Sequence, residues 1–190
     1  MDNSKPVIGV FCGSSHGSDA AYAEAARRFG ALLAAHGFDM VFGGGYIGLM
    51  GEVAHAAREG GAYVTGVLPD FLRHLEPPSH DAYRMIVAAD LTERKKLMLS
   101  LSDGFAVLPG GLGTLDEFFE VITAAQLNVF DKPIAVLDTH GFYAPLDALI
   151  DRVVDEDFAG ERVRTLYRRA PTPEQAIEHL AARVRRTPPR

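Results

Sequence analysis

The sequence predicts an α/β fold: a mainly parallel sheet with helices on both faces. Three observations carry this expectation. Short apolar, β-rich runs alternate with longer segments of helical period along nearly the whole chain. The runs Val7–Cys12, Phe38–Phe42 and Phe105–Leu108 each lead into a Gly- or Ser-rich turn: Gly13-Ser14-Ser15, Gly43-Gly44-Gly45 and Gly110-Gly111-Leu112-Gly113. In a parallel sheet such turns share one edge, the edge at which α/β proteins bind ligands.

In chain order, Val7–Cys12 is the first strand. Asp19–His36 spaces Ala and Arg as an amphipathic helix does, and Gly37 stops it. Phe38–Phe42 is the second strand, Gly48–Glu59 a helix closed by Gly60-Gly61, and Tyr63–Leu68 a strand stopped by Pro69. Asp70–Ala82, with Glu76-Pro77-Pro78, reads as irregular; Tyr83–Val87 as a strand; Asp90–Ser100 as a helix. The Phe105–Leu108 strand opens, through the glycine turn, a helical pattern over Phe118–Leu127, with Glu117 in its first turn. Ile134–Leu137 is a strand behind Pro133, Phe142–Asp155 a helix, Thr165–Arg169 a short edge strand and Pro173–Arg183 the last helix. One domain is expected over residues 1–184, followed by a frayed basic tail at 185–190.

A chain of 190 residues is long enough for one domain with a substantial core. Its formal charge of −6 argues against broad affinity for nucleic acid or anionic membranes. The lone cysteine, Cys12, excludes an intrachain disulfide and fits a reducing compartment. No signal-peptide pattern and no apolar run of transmembrane length is seen, so a cytoplasmic location is the default expectation.

The most informative stretch is Pro109-Gly110-Gly111-Leu112-Gly113-Thr114-Leu115-Asp116-Glu117. A glycine-rich turn before a helix leaves backbone N–H groups unpaired at a positive helix end, which suits a phosphate. A carboxylate beside that cradle points to chemistry on a nucleotide. Thr114-Leu115-Asp116-Glu117 also reads as a capping box, but a cap does not call for three glycines within four residues.

Other motifs are weaker. Gly43-Gly44-Gly45-Tyr46-Ile47-Gly48 satisfies G-x-G-x-x-G, with Asp70 near the place of a ribose-binding acid. It lies in the second strand–helix unit rather than the first, so a dinucleotide oxidoreductase is a minor reading. Gly13-Ser14-Ser15-His16-Gly17 satisfies G-x-S-x-G. It reads better as a small turn that hydrogen-bonds a ligand than as a nucleophile elbow. Asp90-Leu91-Thr92-Glu93 reads as a second cap, followed by Arg94 and Lys95. Cations so near a helix N-terminus oppose its dipole, so they are either a solvated basic face or partners of an anion or carboxylate on the sheet edge. Cys12 reads as a buried small residue. The seven histidines are scattered, and no metal set or Walker lysine is present.

Together these residues resemble the Lonely Guy family of cytokinin riboside 5′-monophosphate phosphoribohydrolases, whose signature is PGGxGTxxE. The resemblance runs from Val7 to about Phe158 and includes Cys12-Gly13-Ser14-Ser15, Gly43 to Gly51, Arg94-Lys95 and Glu120-Val121-Ile122-Thr123. It implies a Rossmann-like fold and a homodimer with the site near the subunit interface. It also implies Arg94 and Glu117 as the catalytic pair, with Gly111, Gly113 and Thr114 holding the 5′-phosphate. Ser14, Gly44, Gly45, Glu76, Lys95, Gly110 and Thr123 would complete the substrate contacts, together with Arg94. The implied reaction converts a nucleoside 5′-monophosphate and water into free base and ribose 5-phosphate, without metal or organic cofactor. The base stays open between N6-prenylated adenine and adenine. Relatives often carry the label lysine decarboxylase, but nothing here suggests a pyridoxal phosphate site. Glu117 would act ionised, a form that a helix N-terminus and Arg94 both favour. The alternative is a non-catalytic nucleotide-binding sensor or carrier; Arg94 and Glu117 together favour the enzyme. The apolar residues of Asp116–Leu127 cover more than one helix face, which independently suggests a homodimer.

Overall fold

The computed structural model describes residues 5–72 and 84–184. Among these residues seven strands, β1 (Val7–Phe11), β2 (Asp39–Phe42), β3 (Val64–Pro69), β4 (Arg84–Ala88), β5 (Gly104–Val107), β6 (Ile134–Leu137) and β7 (Arg168–Ala170), form one sheet. Every pairing is parallel, in the order β4-β3-β2-β1-β5-β6-β7. The chain therefore winds outward from β1 to β4, then returns to place β5 on the other side of β1. The crevice at that reversal lies between the carboxyl ends of β1 and β5.

Among the described residues, six α-helices cover the sheet: α1 (Ala20–Ala35), α2 (Gly48–Glu59), α3 (Leu91–Leu101), α4 (Leu112–Gln126), α5 (Ala144–Asp155) and α6 (Pro173–Arg183). Strand alternation sorts the core into two layers. Ile8 and Val10 of β1, with Cys12 beyond it, join Phe29 and Leu33 of α1, Val53 of α2 and Ile177 of α6 on one face. Phe11 joins Met98 of α3, Phe118 and Val121 of α4, and Ile150 of α5 on the other. Because both faces are covered, β5 and β6 are buried along their whole length, as near-continuous apolar runs require.

The expected elements all appear, and several boundaries move for local reasons. The Asp90 cap holds: its carboxylate accepts from the Glu93 N–H at 2.8 Å. Helix α5 starts at Ala144 rather than Phe142, because Pro145 occupies its first turn and His140, at φ 54°, breaks the chain before it. Thr165 is not in a strand. It closes a 3-10 turn, Glu161–Thr165, with its hydroxyl donating to the Arg162 carbonyl at 2.8 Å, and β7 starts only at Arg168. Helix α4 begins at Leu112, well before Phe118, because Gly111 takes an extended conformation (φ −93°, ψ −157°) and serves as its N-cap. Glu76, His74, His80, Tyr83 and the tail at 185–190 lie outside the described residues.

Candidate active site

Two loops build the floor of the crevice. The turn after β5 and the turn after β1 are pressed together, with the Gly13 N–H donating to the Pro109 carbonyl at 3.0 Å. A Cβ on Gly13 would come within 3.2 Å of the Gly110 Cα, and one on Gly110 would strike the Thr114 side chain and the Gly13 nitrogen. Gly13 and Gly110 are therefore glycines because two protein segments meet there. Gly111 and Gly113 are different: a Cβ on either would meet nothing within 4 Å. Gly111 also lacks any side-chain cap for α4. The first N–H groups of α4 have no intrahelical acceptor, and the backbone beside them at Gly111 and Gly113 is open. This is the geometry of an anion cradle.

The start of α4 also corrects the capping-box reading. With Gly111 as N-cap, Thr114 stands at the third helical position and Glu117 in the second turn, too far along to cap the first. Glu117 instead turns inward and is buried, 6% exposed. Its Oε1 lies 2.8 Å from Arg94 Nη1, close enough for an ion pair but not aligned as a hydrogen bond. Arg94 is anchored from behind by its Nε, which donates to the Val67 carbonyl of β3 at 3.2 Å. That carbonyl is a functional partner with no sequence signal, since any residue supplies one.

The charge state of Glu117 departs from the sequence expectation. Burial outweighs the pull of Arg94 and holds its carboxyl up at about 7. Near neutral pH the group is thus poised between acid and base. Cys12 behaves as expected of a buried residue: its thiol is pushed up by burial first and by Glu117 second.

The remaining expected contacts divide. Ser14 is exposed on the loop that joins the cradle, and Thr114 is buried beneath it. Gly44 and Gly45 are buried; a Cβ on Gly44 would meet Met85 at 2.9 Å and Leu68 at 3.3 Å, so packing accounts for that glycine. Lys95 reaches across to α4, 2.7 Å from Glu120 and 3.0 Å from Asp116. Glu120 and Asp116 in turn raise its pKa. It therefore clamps α3 to α4 as an ammonium, the reverse of what a Schiff-base lysine needs. Thr123 is not brought to the cradle: six residues beyond Glu117, it lies about 9 Å further along α4 and is exposed.

The N-terminus of α2 does not serve a dinucleotide. Its first amides are taken by the β1 loop, Met50 N–H by Gly13 at 3.2 Å and Leu49 N–H by Ser15 at 3.4 Å, while Asp70 falls in a 3-10 turn after β3. A cavity of about 460 Å³ lined by Phe130, Lys132, Arg162 and Arg183 opens at the start of β6, the opposite end of that strand from the crevice. Lys132 and Arg162 there bond the carbonyls of Leu99 and Gln126 at the ends of α3 and α4.

Comparisons with known proteins place the chain in a family. A family model described as "Possible lysine decarboxylase" matches residues 50–180. A cytokinin riboside 5′-monophosphate phosphoribohydrolase of Arabidopsis thaliana is 42% identical over 173 residues, covering 91% of this chain and 80% of that protein. One from Oryza sativa subsp. japonica is also 42% identical over 173 residues, covering 91% and 72%. The chain belongs to the Lonely Guy family. Its fold recurs outside close relatives: the molybdenum cofactor carrier protein of Chlamydomonas reinhardtii superposes with a TM-score of 0.69 at 24% identity, over 94% of this chain and 99% of that one. The molybdenum cofactor binding protein from Rippkaea orientalis gives 0.69 at 24%, over 93% and 96%. At that identity the likeness is one of fold.

Proposed function

We propose that this Lonely Guy protein hydrolyses the N-glycosidic bond of a nucleoside 5′-monophosphate, N6-prenyl-adenosine monophosphate or AMP, to free base and ribose 5-phosphate. One observation carries the reading: a single helix, α4, offers an uncapped N-terminus with open glycines and, six residues on, a buried carboxylate held by an arginine. Six residues span about 9 Å of helix axis, and a helical side chain leans back toward the N-terminus, which brings the carboxylate closer to the cradle. The phosphate at Gly111–Thr114 then sets the sugar against Glu117.

As the C1′–N bond breaks, its electron pair leaves with the base and the ribose becomes oxocarbenium-like. The Glu117 carboxylate stabilises that charge and takes a proton from the water whose oxygen bonds C1′; the departing base ends with the proton. A carboxyl near 7 is a stronger base than an ordinary one and still substantially ionised at neutral pH. Arg94 keeps it oriented and opposes its protonation.

A carrier, the role named for the Chlamydomonas protein of the same fold, would need the cradle but not a desolvated ion pair, which is costly to bury. The same reading includes a homodimer. Leu112, Phe119 and Leu127 leave 86%, 38% and 68% of their surfaces exposed on α4, and Leu91 and Leu101 are exposed on α3. Thr123 shares that outer stripe, where a second copy would cover it. No described helix is long and apolar enough to cross a membrane, and the free buried thiol of Cys12 supports a cytoplasmic location.

The test is chromatography of products after incubation with AMP, isopentenyladenosine monophosphate and adenosine. Base and ribose 5-phosphate should form from the monophosphates and far more slowly from adenosine. Binding without turnover would make the protein a carrier, and equal rates with adenosine would remove the phosphate from the mechanism.

A further inference from the structure

We infer that Gly43 is the residue that positions Arg94, resting on the catalytic role proposed for Arg94. The glycine run after β2 invites a phosphate-binding reading, but its first member does something else. A Cβ on Gly43 would collide with Arg94 Nη2 and come within 3.1 Å of the Met50 sulfur. The guanidinium is thus held on three sides: Nε by the Val67 carbonyl, Nη1 beside Glu117, and Nη2 against the bare backbone of Gly43.

Conformation does not explain this glycine. Gly43 is absent from the positive-φ glycines, which include its neighbour Gly44 at 81°. An alanine at 43 therefore meets no backbone strain, and its closest obstacle is the end of the Arg94 side chain. The space left by the missing side chain is the slot that brings the guanidinium to Glu117. Filling the slot pushes Arg94 outward, and Glu117, still buried, loses the cation that lowers its pKa.

The experiment is a cycle of Gly43→Ala, Arg94→Ala and the double variant, read by thermal unfolding and by pH profiles of kcat/KM. Gly43→Ala should lower kcat on the order of a hundredfold, as for a catalytic group misplaced by about 1 Å. Its acid limb should move to higher pH, a shift that loosened packing alone would not produce. Its Tm should fall, and removing the arginine should restore most of that loss, so that the double variant melts close to Arg94→Ala. Should Gly43→Ala prove too unstable to assay, recovery of a folded double variant still reads the slot. Wild-type kcat and pH profile in Gly43→Ala, or Tm losses that simply add in the double variant, would overturn the inference. The Tm cycle needs no substrate. An active Arg94→Ala enzyme would therefore defeat the proposed mechanism while leaving the slot itself testable.

Discussion

Helices α2 and α4 begin alike and end up doing different things. Each follows a glycine-rich turn at the carboxyl end of a central strand, β2 or β5, and each carries a glutamate in its second turn, Glu52 or Glu117. At α2 the amides are taken by Gly13 and Ser15, and a Cβ on Gly48 would run into the Ser14–Ser15 backbone. At α4 a Cβ on Gly111 or Gly113 meets open space. The glutamates diverge likewise. Burial tends to raise Glu52, but its bonds to Arg27 and His16 outweigh that and hold it below the usual range, while burial wins at Glu117. A glycine-rich turn thus reports only that something comes close to the backbone. At α2 the visitor is another loop, and at α4 it is the proposed ligand.

The sharpest way to break this contrast is to put a methyl group at each helix start. Gly48 has φ 61° and no room. Gly48→Ala should destabilise by about 3 kcal/mol or more, from left-handed strain plus displacement of the β1 loop. Thermal unfolding should show Tm lower by about 6 °C or more. An unchanged Tm would mean that the β1 loop does not rest on α2.

Next in size is the loss of charge at α4. Glu117→Gln should reduce kcat about a hundredfold or more. Since Glu117 caps no helix end, a fold defect would not account for that loss. Stability should respond to pH in a defined direction. The folded carboxyl sits near 7, above the ordinary 4.5 of a glutamate, so the folded state binds the proton more tightly. Its contribution is complete below about 4.5 and is lost as pH rises through about 7, by at most about 3 kcal/mol. The Tm of the wild type relative to Glu117→Gln should therefore fall between those limits and level off above them. A flat difference would show that the folded pKa is not raised.

Gly113→Ala should give the opposite of Gly48→Ala: a Tm unchanged or raised by up to about 4 °C, since alanine favours the helix. Its KM for the monophosphate should rise about tenfold, the scale of one charged hydrogen bond lost. A normal KM would take the phosphate away from this helix end.

These contrasts also show what the sequence can and cannot carry. Alternation of apolar runs and helical segments foretold the strands and α-helices, though not the 3-10 turns, because strand and helix periods are local properties. The cradle was legible because Gly110, Gly111 and Gly113 are too many for a cap. The capping box failed because the rule depends on where the helix begins, and Gly111 lets α4 begin early. The raised pKa of Glu117 was not legible, since burial is set by what packs around a side chain from elsewhere in the fold. The same limit applied to Lys95: a solvated face and an anion or carboxylate partner both stayed open, because the carboxylates that meet it, Asp116 and Glu120, are on another helix.

The smallest effect sharpens the comparison from the α2 side. Glu52 is partly exposed and bonds Arg27 at 2.8 Å and His16 at 3.1 Å. Such pairs contribute less than about 1 kcal/mol, so Glu52→Gln should lower Tm by under about 4 °C and leave kcat and KM unchanged. Its pH dependence should run opposite to that of Glu117. The folded pKa of Glu52 lies below the ordinary 4.5 of a glutamate, so its contribution is present above that pH and fades as pH falls through the folded value. The wild type should thus gain Tm over Glu52→Gln from acid to neutral pH, where it loses Tm relative to Glu117→Gln. A Glu52→Gln enzyme with kcat as low as Glu117→Gln would place the α2 end in the chemistry and erase the distinction between the two helix starts.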